Sequence, residues 1–99
     1  MRLGEQQIQA IKKIITEVLG ERADVRLFGS RVDDTAKGGD IDLYIHLDEP
    51  IDRPAYVVSL IQAKLMREIG ERKVDILLDA PNLQRASIHQ VAEQTGVPL

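Results

Sequence analysis

A chain of 99 residues with 43% hydrophobic and 29% charged side chains is long enough to build one core and too apolar, at a net charge of −3, to stay disordered. It has no cysteine, which excludes disulfides and thiolate metal sites. The acidic balance and only three aromatic residues (Phe28, Tyr44 and Tyr56) argue against a nucleic-acid surface made of basic patches and stacking rings.

The elements follow from periodicity. Residues 5–19, "EQQIQAIKKIITEVL", set Ile8, Ile11, Ile14, Ile15, Val18 and Leu19 on one helical stripe, and Gly20 is a natural stop. "DVRLF", 24–28, reads as a short strand that runs into Gly29 and Ser30. Residues 31–39 form an acidic, glycine-bearing loop. "DIDLYIHL", 40–47, alternates as a strand. Ile41, Leu43, Ile45 and Leu47 share one face; Asp40, Asp42, Tyr44 and His46 share the other. A turn over 48–54 supplies Asp52 as a helix N-cap and Pro54 in the first helical turn.

A second helix then runs to about Ile69, with Val58, Ile61, Leu65 and Ile69 facing inward and Gly70 after it. "KVDILLD", 73–79, is a third strand. Pro81 opens a last helix through Ile88, Val91 and Ala92, and Gly96 ends it. The order α-β-β-α-β-α describes an α+β sandwich, a small mixed sheet covered by helices, in one domain over 1–99. No apolar run approaches the roughly 18 residues of a membrane span. The start "MRLGEQQIQAIKK" lacks a signal-peptide core. A cytoplasmic protein is expected.

Asp40 and Asp42 are two residues apart on a strand, so both carboxylates leave the same face. Like charges this close call for a cation between them, unless they sit at a solvated strand end. Hard divalent cations take oxygen ligands, and magnesium commonly uses one or two carboxylates plus substrate phosphates. Asp75, inside the third strand, can join them if that strand pairs beside 40–47, and three acids can hold two metals about 4 Å apart. Gly29 at a strand end lets a phosphate approach the backbone, and Ser30 adds a hydroxyl donor. Arg31 either neutralises phosphate charge or forms a surface ion pair. No Walker loop is present.

The pattern Gly-Ser, nine residues, then Asp-x-Asp in an apolar strand with a third strand Asp downstream resembles the nucleotidyltransferase superfamily of DNA polymerase beta. The Gly-Ser and Asp-x-Asp spacing alone arises by chance in about one chain per thousand of this length, which makes it specific. Length and the stretch "GSRVDDTAKGGDIDLYI" are similar to its minimal branch, the MNT antitoxins paired with HEPN-domain toxins. The resemblance implies that Asp40, Asp42 and Asp75 are the catalytic acids and bind two Mg²⁺ ions. It implies that Gly29, Ser30 and Arg31 hold the triphosphate of ATP. It also implies AMP transfer to a tyrosine hydroxyl of a HEPN-type toxin. Two other functions stay open: a non-catalytic antitoxin that occludes its partner, and a transferase acting on RNA or a small molecule. Tyr44 and His46 are expected to be packing or surface residues, and His89 structural or at an interface.

Overall fold

The computed structural model describes residues 4–28, 41–70 and 73–99. Three helices and four strands follow one another: α1 (Glu5–Leu19), β1 (Asp24–Phe28), β2 (Ile41–His46), α2 (Pro54–Ile69), β3 (Val74–Asp79), α3 (Ser87–Thr95) and β4 (Val97–Pro98). The fold is α+β with a mixed sheet in the order β3-β2-β1-β4. β1 runs antiparallel to both β2 and β4. β2 and β3 are parallel, a pairing that requires a long crossover, and α2 is that crossover.

Period-two alternation gives the sheet two different faces. Ile41, Leu43, Ile45, Val25, Leu27, Val74 and Leu78 point to one side, where Ile11, Ile14 and Ile15 of α1 and Ile61 and Leu65 of α2 complete the core. Val18 and Leu19 of α1 and Val58 and Ile69 of α2 pack against it, so most of the expected stripes are used. α1 begins where the Gln7 side chain accepts the Gly4 N–H at 2.9 Å, and it ends at Gly20, whose φ of 90° is readily open only to glycine. The other face carries Asp42, Tyr44 and His46 on β2 and Asp75, Leu77 and Asp79 on β3. α3 lies on this side: Arg26 of β1 donates Nη1–H to the Glu93 carbonyl at 2.6 Å.

The structure corrects the expected boundaries at three places. The last helix starts at Ser87, six residues after Pro81; the Leu83 N–H instead closes a turn on the Ala80 carbonyl at 3.0 Å. Asn82 uses its amide to bridge Ile51, accepting from its N–H at 2.9 Å and donating to its carbonyl at 2.8 Å. Asp52 does not cap α2. The N-cap is Arg53, in the left-handed region at φ 56° and ψ 59°, with its guanidinium 5.2 Å from the Tyr56 ring centre. Finally, Val97–Pro98 adds an edge strand to β1, held also by the Leu99 N–H on the Val25 carbonyl at 3.1 Å. Gly96 precedes it because a Cβ there would lie 2.5 Å from the Ala92 carbonyl oxygen and 3.0 Å from Arg26 Cβ. Among the described residues, no helix is long and apolar enough to cross a membrane.

Candidate active site

The parallel register of β2 and β3 decides what the acids do together. Asp42 is the direct partner of Asp75, Tyr44 of Leu77 and His46 of Asp79. On the other flank of β2, Asp42 is the partner of Phe28, the residue before Gly29. Asp42 and Asp75 therefore project side by side from adjacent strands roughly 4.8 Å apart. The face they share is the one not filled by α1 and α2.

The condition set for Asp75, that its strand lie beside β2, is met. Its environment differs from the buried one expected for a strand acid. It is the second residue of β3, its side chain is 45% exposed, and among the described residues Lys73 pairs with it, with Nζ 3.7 Å from Oδ1. Asp42 is half-buried. Two adjacent carboxylates and no thiolate form a hard oxygen donor set, which suits a divalent cation such as Mg²⁺ or Mn²⁺. Asp40, Gly29, Ser30 and Arg31 lie outside the described residues. Among the described residues, no group of three or more His, Asp or Glu is arranged to hold a metal.

Farther along the same face is a polar cluster that the sequence reading missed. Asp79 Oδ2 accepts from the Tyr44 hydroxyl, from Arg85 Nη1 and, at 3.2 Å, from His46 Nδ1. Arg85 also donates to Glu93 of α3, and His46 Nε2 lies 2.9 Å from Asp48 Oδ1. Tyr44 is 1% exposed and Asp79 7%. Burial, then the Asp79 carboxylate, pushes the Tyr44 hydroxyl up to about 12. Burial opposes charge on Asp79, but donors from Tyr44, His46 and Arg85 outweigh it and lower its pKa. Burial likewise opposes charge on His46, yet hydrogen bonds to Asp48 and Asp79 raise its pKa.

This cluster joins the sheet to α3. Its polar atoms bond one another, so it serves packing rather than a ligand. Tyr44 is accordingly the packing residue it was expected to be. His89 is structural as well: its Nδ1 accepts the Ala86 N–H at 3.0 Å and its Nε2–H donates to the Leu78 carbonyl at 2.9 Å. A signal for the cluster was present in the sequence, since Asp79 repeats the face of Asp75 four residues on. Its partners Arg85 and Glu93 come from a later turn and helix, which periodicity does not relate to β3.

A comparison with curated proteins finds no match. Residues 8–94, from the first turn of α1 to the end of α3, match the family model described as nucleotidyltransferase domain, and the chain belongs to that family of polymerase-beta-like transferases.

Proposed function

We propose that this chain is a single-domain, cytoplasmic, Mg²⁺-dependent protein adenylyltransferase that transfers AMP from ATP to a hydroxyl of a partner protein, a HEPN-type toxin, and so neutralises it. The observation that carries this reading is the direct pairing of Asp42 with Asp75 on the sheet face opposite α1 and α2. Family membership supports nucleotidyl transfer in general.

In this proposal Asp40, Asp42 and Asp75 hold the metal ions, and Gly29, Ser30 and Arg31 hold the triphosphate. Magnesium, when bound, supplies the positive charge that offsets the phosphates and the developing pyrophosphate. The acceptor oxygen forms a bond to the α-phosphorus as the bond from that phosphorus to the β-phosphate bridging oxygen breaks. Asp75 takes the acceptor's proton, and pyrophosphate leaves. Ile88 and Val91, one helical turn apart on α3 and half exposed, give a protein partner apolar surface to meet.

The same surface favours a second reading, an antitoxin that acts by occlusion alone. One experiment separates the two. The purified chain is mixed with Mg²⁺, ATP labelled on the α-phosphate and the product of the neighbouring gene, with Asp42→Asn alongside. A labelled protein band that is absent with Asp42→Asn is the expected result. Neutralisation that proceeds without label, and survives Asp42→Asn, would replace the transferase reading with occlusion.

A further inference from the structure

Asp75 lies directly opposite a second carboxylate, Asp42, across the β2–β3 ladder. Like charges directly opposite on neighbouring strands are destabilising. Lys73 is placed to relieve this. Its carbonyl accepts the Ile41 N–H at 2.9 Å, so the β2–β3 ladder opens at this residue. One residue, Val74, separates it from Asp75, which puts both side chains on the acids' face. Its Nζ lies 3.7 Å from Asp75 Oδ1.

The contact is also built to break. At 3.7 Å it is an ion pair without hydrogen-bond geometry, and the lysine side chain is 68% exposed. A lysine is a mobile point charge on a flexible stem, unlike an arginine fork. Asp79, on the same strand, shows the alternative: three donors, one of them Arg85, hold its Oδ2.

We infer that Lys73 is the resident counter-ion of Asp75, holding it until a divalent cation displaces it. This rests on the proposal that Asp42 and Asp75 bind such a cation. Lys73 then acts as a competitor for the metal, and its removal tightens metal binding.

The test uses the full chain and manganese(II) alone, titrated by its electron paramagnetic resonance signal, with Asp75→Asn to identify the binding that belongs to this site. An exposed ion pair is worth a factor of about two to five in an equilibrium. Lys73→Met is expected to tighten Mn²⁺ binding by roughly that factor, and Lys73→Arg to stay near the wild type or bind more weakly. Charge removal near a cation would also tighten binding without displacement, so a second readout is needed. In the wild type, acylation of Lys73 followed by mass spectrometry should speed up when Mn²⁺ is added, while Lys64 on α2 stays constant. Unchanged or weaker binding in Lys73→Met, or unchanged reactivity of Lys73, overturns the inference and leaves the metal site standing. Absence of Mn²⁺ binding that depends on Asp75 overturns both.

Discussion

Asp75 and Asp79 sit on one strand and one face, about 13 Å apart, yet they are used in opposite ways. Asp79 is buried, accepts from three donors and ties β3 to β2 and α3. Asp75 is half exposed, faces another aspartate across the ladder and, among the described residues, has a loose lysine beside it. The same side chain is held by several buried partners at one end of the sheet and by one exposed lysine, among the described residues, at the other. A carboxylate held by three donors of its own protein is committed to the fold. One held loosely beside a second carboxylate is ready for a cation.

The largest effect that would break this contrast is on activity. Asp75→Asn is expected to lower nucleotidyl transfer by roughly a hundredfold or more while moving the thermal midpoint by no more than a few degrees. Kinetics with labelled ATP and a thermal melt on the same sample check both halves. If the melt collapses instead, Asp75 belongs to the fold, as Asp79 does.

Asp79→Asn should behave the other way. Removing one partner of a buried ionic cluster costs about 3 kcal/mol, which in a domain of this size is a fall of about 10–20 °C in the melt. Tyr44→Phe removes one donor and leaves Asp79 with two, so a loss of about 1 kcal/mol is expected by urea unfolding. The two acids would prove alike if Tyr44→Phe were neutral.

The smallest effect is the pH dependence of the buried end. His46 has a raised folded-state pKa, so its contribution is complete below its ordinary value of 6.5 and disappears as pH climbs through the folded value. Asp79 has a lowered one, so its contribution is complete above its ordinary 3.8 and disappears as pH falls through the folded value. The cluster thus supports the fold most between these limits. The thermal midpoint should decline as pH rises past neutrality, and His46→Gln should flatten that decline.

Much of the architecture was legible because its signals are local. The stripe of Ile11, Ile14 and Ile15 and the alternation from Ile41 to Leu47 each declare an element and its buried face. Gly20 and Gly70 mark helix ends by a positive φ that disfavours other residues. β4 was not legible: two residues cannot alternate, and Pro98 argues for a strand only once an edge is there to receive it. The late start of α3 was hidden because Pro81 suits a helix start and a turn equally. Asp42 and Asp75 could be singled out as unusual strand acids, but not as neighbours.

By itself, then, the sequence determined the helices, the two-faced strands and the Gly-Ser and Asp-x-Asp pattern, because period and spacing are properties of consecutive residues. Only the tertiary structure decided that β3 lies parallel beside β2 with Asp42 against Asp75 and His46 against Asp79. Register between strands is a relation across the crossover helix. It is set by how α1, α2 and the sheet bury their apolar faces together, and a shift of one residue would have turned every acid toward the core.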